Sequence, residues 1–166
     1  SIPEALLPMP VLSDRIRNFF AAGIKAHTEG CYGHFMWLIS PGTLASMQTN
    51  GYKRVKLDSF LQNDRLKLWW CPAWSDADRR KIRDAIETEL KRPWYRNLYD
   101  FLAYPGQLLN IHWLQVPGAD ICSDKSKYLK LVDKDFDLKN PDPEQVNKWL
   151  EEHQPKYQVY GRYTPD

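Results

Sequence analysis

The chain has 166 residues, 43% of them hydrophobic and 13% aromatic, with seven Trp and nine Tyr. That length builds one domain with a sizeable core, and that composition excludes a disordered chain. The net charge of +2 mixes both signs along the sequence, so no basic run marks a nucleic-acid or membrane surface.

The local basic cluster Arg79-Arg80-Lys81 alternates with acids and reads as the solvated face of a helix. No stretch reaches the ~18 apolar residues of a membrane span. The first residues lack the basic-then-apolar pattern of a secretory signal. Cys31, Cys71 and Cys122 are odd in number. That argues against a disulfide framework and for a reducing, cytoplasmic setting. With no internal repeat and no low-complexity linker, residues 1–166 read as a single domain.

Residues 1–12, with Pro3, Pro8 and Pro10, read as irregular. Ser13 then reads as an N-cap, with Ile16, Phe19, Phe20 and Ile24 at helical spacing to about Lys25. HFMWLIS (34–40) is a short apolar run closed by Pro41-Gly42, which predicts a buried strand and a turn. TLASMQT (43–49) continues as a strand, Asn50-Gly51 signals a hairpin, and YKRVKL (52–57) returns. Asp58 opens a short helical turn, and RLKLWWCPA (65–73) reads as a fourth strand.

Ser75 and Asp78 form a capping-box-like start to a helix over 75–91, with Ile82, Ala85, Ile86 and Leu90 inward and Pro93 as the stop. The apolar segment from Tyr99 to about Leu109 reads as helical, interrupted by Pro105-Gly106. A further helix is predicted from Cys122 to about Val132, with Tyr128, Leu129 and Val132 inward. Asp142–Glu152 reads as an amphipathic helix with Pro143 in its first turn, and YQVYGRY (157–163) alternates like a final strand. Segregated strands and helices predict an α+β fold.

Three residues stand out chemically. Cys122 falls where a helix starts, and a helix N-terminus lowers a thiol pKa and offers N–H groups to an oxyanion. Taken alone it also reads as a core cysteine. His34 opens an apolar strand after Tyr32-Gly33, where one ring nitrogen can face a site and the other an orienting group. A thiolate nucleophile needs such a base. If Pro41-Gly42 turns a hairpin, Gln48 and Ser46 lie on the partner strand with matching parity. Gln48 is then the first choice to orient the imidazole, through its amide oxygen.

These residues resemble a family. Gly33-His34 leads an apolar strand, a hairpin ends in Gly51-Tyr52-Lys53-Arg54-Val55, and Leu57–Leu61 follows. This looks like the permuted NlpC/P60 papain-like hydrolases, including the YiiX-like cysteine peptidases and amidases. Tyr32-Gly33-His34 is similar to the family's Y-S-H-like motif, and Ile121-Cys122-Ser123-Asp124 to its hydrophobic-C-S-E motif. Pro93-Trp94-Tyr95 with Tyr99-Asp100-Phe101 resembles, more spread out, the segment that follows the family's long helix. The likeness spans about residues 27–132. Gly33 stands for the usual Ser, Asp124 for Glu, and Gln48 where many relatives carry Glu or His. The family's G-D-I/V strand before the His has no match.

The resemblance implies a papain-like fold, with a small antiparallel sheet or barrel packed against helices. It also implies acyl transfer through a thioester: His34 takes the Cys122 proton, and the Cys122 N–H is one oxyanion donor. Tyr32, two residues before His34, either lines the site or packs as a core aromatic. No metal or organic cofactor is needed. The expected substrates are a peptide, a peptidoglycan stem peptide or a lipid amide. Competing readings are a lipid-directed acyltransferase of the wider group and an inert binding module built on Trp69, Trp70, Trp74, Trp94 and Trp113. A metal site at Cys31, His34 and His27, with Cys71 and His112 isolated, is a weaker one. Cys31, three residues from His34, is a rival nucleophile.

Overall fold

The computed structural model describes residues 2–15, 32–48, 50–93 and 122–165. Its strands are β1 (Met9–Arg15), β2 (His34–Ser40), β3 (Thr43–Gln48), β4 (Gly51–Lys56), β5 (Asp64–Trp70) and β6 (Gln158–Tyr163). Its helices are α1 (Asp58–Leu61), α2 (Asp76–Leu90) and α3 (Pro143–Glu152), with a 3-10 helix over Cys122–Leu131. The strands form one antiparallel sheet in the order β4-β3-β2-β1-β5-β6. The fold is α+β, and the sheet is open, with β4 and β6 at its edges.

Local chemistry explains most boundaries. Pro41-Gly42 joins β2 to β3, and Gly51, at φ 110, opens β4 after Asn50. That dihedral lies in the left-handed region where glycine has no steric penalty. Ser75 accepts from the Asp78 N–H while the Asp78 carboxylate accepts from the Ser75 N–H, so the expected capping box starts α2. Asp142 and Gln145 make the same reciprocal pair at α3, with Pro143 in its first turn.

Three expectations need correction. Residues 9–15 are neither irregular nor the start of a helix: they are β1, paired to β2 and β5 in the middle of the sheet. Ser13 pairs with His34 instead of capping a helix. Pro10 is tolerated because the β5 ladder begins one residue later, at Val11 with Leu68. The rest of that expected helix (16–25) and the 99–109 segment lie outside the described residues. The helix from Cys122 is present but wound as the tighter 3-10 form. Arg79 is buried rather than solvated: its guanidinium donates to the carbonyls of Leu6 and Cys71 and tethers the N-terminal segment to α2. Arg80 and Lys81 are exposed, as expected.

Strand alternation divides the core in two. On one face Leu12, Phe35, Trp37, Ala45, Met47 and Trp69 pack against Ile82 and Ile86 of α2, Tyr128 and Leu129 of the 3-10 helix, and Trp149 of α3. On the other, Met9, Val11, Met36, Leu38, Leu44, Leu66 and Leu68 are covered by Leu7 and by Phe60 of α1. We call these the helix face and the α1 face. Each large side chain buried this way contributes about 1.5–3 kcal/mol.

The C-terminal arm is held by Asp133, whose Oδ2 accepts from Tyr157 Oη (2.9 Å) and Lys156 Nζ (2.7 Å). Burial alone would raise the Asp133 pKa, but the bonds from Lys156, Tyr157 and the Asp135 N–H outweigh it and hold the carboxyl below its usual range. A depressed carboxylate pKa stabilises the fold above the unfolded-state value of about 3.9, and that stability is lost as pH falls through the folded value. Asp133→Asn is therefore expected to lower unfolding stability at pH 7 by roughly 1–3 kcal/mol. Urea melts should show the gap to wild type closing as the pH drops below about 4.

Candidate functional site

The backbone leading into β2 is pinned on its way to the sheet. The Gly33 N–H donates to the Ser13 carbonyl at 3.0 Å, and His34 pairs with Ser13 across β1. Parity puts His34 on the α1 face with Met36 and Leu38, where its ring stacks on Phe60 (6.3 Å between centroids, 7° between planes).

Met36 lies opposite Ser46 in β3, so Ser46 is the diagonal neighbour of His34 on the same face. His34 Nε2 lies 2.8 Å from Ser46 Oγ, and Gln48 Nε2 donates to that same oxygen at 2.7 Å. The orienting contact on the imidazole is thus made by Ser46, with Gln48 one bond further out. The Gln48 amide turns its nitrogen, not its oxygen, toward the pair. With one lone pair of Ser46 Oγ taken by Gln48, the hydroxyl can still donate to a neutral Nε2 or accept from a protonated one. Ser46 is fully buried, so water does not compete for this bond.

Cys122 is the first residue of the 3-10 helix; its side chain lies outside the described residues. Three residues on, Lys125 pins that helix to the sheet. Its carbonyl accepts from Trp37 Nε1 (2.8 Å), its ammonium bonds Glu89 Oε1 of α2 (3.0 Å), and the same ammonium sits 4.9 Å from the centre of the Tyr52 ring on β4. Burial first, then the charges of Tyr128, Glu89 and Glu87, holds the Tyr52 hydroxyl protonated far above its ordinary range. Asp124 places a negative charge in the helix's first turn, where the dipole favours it.

The body of this helix packs on the helix face, at Trp37, whereas His34 projects to the α1 face. Each is the first residue of its element. The helix that Cys122 opens and the His34 ring therefore pack on opposite faces of the sheet.

Tyr32 is half-buried against the helix-side core, with its N–H bonded to Glu144 Oε2 (3.2 Å) and its ring 5.8 Å from Lys67 Nζ. Cys71 is fully buried, and burial pushes its thiol pKa up, which disfavours the nucleophilic thiolate. Cys31, His27 and His112 lie outside the described residues; among the described residues no group of three His, Cys, Asp or Glu could hold a metal ion. Of the tryptophans proposed for a groove, Trp69 and Trp74 fill the core, Trp70 is half-buried beside Tyr160, and Trp94 and Trp113 lie outside the described residues. His153 bonds the Trp149 carbonyl (2.7 Å) and stacks on its indole, closing α3. No described helix is long and apolar enough to cross a membrane.

No family model matches the chain, and no curated protein matches it.

Sequence parity found Ser46 and Gln48 together but ranked them in the wrong order of contact, because parity fixes a face and not a rotamer. Glu144 and Lys125 gave no sequence signal, since their partners lie far away along the chain. Ser46→Ala removes the group that links Gln48 to His34. The 15N shifts of the His34 ring are expected to move from a single tautomer to a mixture; an unchanged tautomer would show that Ser46 does not orient the ring.

Proposed function

We propose that this chain is a cysteine-dependent hydrolase of amide or peptide bonds, with Cys122 as nucleophile and His34 as base. On this reading the fold is a permuted papain-like one, related to the NlpC/P60 hydrolases that the motifs resemble. The observation that carries the proposal is the imidazole held through Nε2 by Ser46 and Gln48. A base tethered at one nitrogen delivers the other, Nδ1, in a fixed direction. An imidazole on an apolar face needs one hydrogen-bond partner; here that partner is itself held by Gln48, which fixes the direction of the ring.

The chemistry follows from these roles. Nδ1 of His34 takes the Cys122 proton, and the helix N-terminus favours the resulting thiolate. The sulfur attacks the substrate carbonyl carbon, and the Cys122 N–H stabilises the oxyanion. The imidazolium then protonates the departing amine, leaving a thioester. His34 next activates a water, which releases the acid and restores the thiol. For Nδ1 to accept, the neutral ring carries its proton on Nε2, so Nε2–H donates to Ser46 Oγ both before and after the transfer, and Ser46 stays the acceptor throughout. Thiolate chemistry of this kind needs no metal or organic cofactor. Peptides, peptidoglycan stem peptides and lipid amides all present the required carbonyl. An amine or alcohol acceptor in place of water would make the same acyl-enzyme a transferase.

Alkylation with iodoacetamide across pH, with the adducts located by peptide mass, tests the assignment. Cys122 is expected to react selectively well below pH ~8.5, the range of a free thiol. His34→Ala is expected to slow the reaction near pH 6 by roughly 10²-fold, the ratio of thiolate fractions for a two-unit change in pKa. Reaction of Cys122 no faster than Cys31 or Cys71, unaffected by His34→Ala, would overturn the proposal.

A further inference from the structure

Two residues before His34, the Tyr32 N–H is held from the far end of the sequence by Glu144 Oε2 (3.2 Å). Glu144 sits in the first turn of α3 with only 8% of its surface exposed. It is not needed to cap that helix, because Asp142 and Gln145 already form the reciprocal capping pair. Its other carboxylate oxygen accepts from Asn147 Nδ2 (3.4 Å). The Asn147 oxygen accepts in turn from the buried Lys67 ammonium (3.0 Å), which also bonds Glu151 (2.6 Å). The bond from Lys67 is the main cause that holds the Glu151 carboxyl below its ordinary pKa range. The Lys67 ammonium lies over the rings of Trp69 (4.5 Å) and Tyr32 (5.8 Å). Tyr32 is thus gripped at both its backbone and its ring by one buried polar network running from β5 to α3.

We infer that Glu144 is a positioning residue for His34, an inference that rests on the reading of His34 as the base. Gly33, the single residue between Tyr32 and His34, lacks a Cβ and leaves the backbone there with wide freedom. Two consecutive N–H bonds remove that freedom: Tyr32 to Glu144 on one side and Gly33 to the Ser13 carbonyl on the other. Together they set the direction in which β2 starts, and therefore where the His34 ring stands relative to Ser46 and the rim of the sheet. The carboxylate is required for this. Both oxygens of Glu144 accept, from Tyr32 and from Asn147. A glutamine offers one acceptor and turns a donor toward the other donor. Asn147 cannot flip its amide to compensate without giving up its bond to Lys67. The C-terminal helix, beyond the part of the chain that resembles the hydrolase family, thereby becomes part of what aligns the base.

The test is the pH midpoint of Cys122 alkylation by iodoacetamide, measured in wild type, Glu144→Gln, Glu144→Asp, His34→Ala and Asp133→Asn. Asp133→Asn loosens the fold without removing any hydrogen bond of this network and controls for loss of stability. Glu144→Gln is expected to raise the midpoint by about one pH unit and to slow the reaction near pH 6 by about tenfold. Glu144→Asp, which keeps both acceptors but draws them back by one methylene, should fall between that and wild type. Asp133→Asn should keep the wild-type midpoint. A wild-type midpoint in Glu144→Gln, with the His34 dependence of the parent intact, overturns the inference and leaves the hydrolase reading standing. An Asp133→Asn shift equal to that of Glu144→Gln overturns it too. If Glu144→Gln does not fold, an unshifted Glu144→Asp does the same. A wild-type midpoint that does not depend on His34 overturns the base assignment, and this inference with it.

Discussion

A lysine ammonium buried beneath the 3-10 helix fixes the geometry of the candidate site. Only 1% of the Lys125 side chain reaches solvent, so its charge has to be answered within the protein. Glu89 answers it from α2 and the Tyr52 ring from β4, while the Lys125 carbonyl takes the Trp37 indole proton from β2. Removing one member of such a buried pair costs about 3–5 kcal/mol, because the other is left uncompensated. The cost restricts the helix to one seat on the sheet. Cys122, three residues upstream at its head, inherits that placement.

The second constraint is the sheet itself. Alternation in β2 sends Phe35 and Trp37 into the helix-side core, and sends His34 to the opposite face with Met36 and Leu38. A polar imidazole on an apolar face needs a partner, and β3 supplies Ser46 in the diagonal position with Gln48 behind it. The imidazole is therefore held at the first residue of β2, at an end of the strand. The middle of β2 is packed on both sides, by Trp37 against the 3-10 helix and by Met36 and Leu38 on the α1 face.

Much of this was legible in the sequence where the signal is local. The two hairpins are written by Pro41-Gly42 and Asn50-Gly51, α2 by Ser75 and Asp78, and α3 by Asp142 and Pro143. Alternation alone marks β6. β1 was illegible because three prolines and a cap-like Ser13 mimic a loop leading to a helix. Its strand character comes from pairing with β2 and β5, which no local pattern reports. The burial of Arg79 has the same origin, since its acceptors at Leu6 and Cys71 come from elements that sequence does not bring together. In the site, His34 could be found from its place before an apolar run. Glu144, 112 residues from Tyr32, could not.

The most direct measurement is a cross-link. Dibromoacetone joins a thiol to an imidazole only when both can reach one three-carbon bridge. The expected product is a covalent bridge between the Cys122 and His34 peptides, identified by mass, and lost in His34→Ala. Mono-alkylated Cys122 without any link to His34, in protein that remains folded, would contradict a catalytic pair at the end of β2.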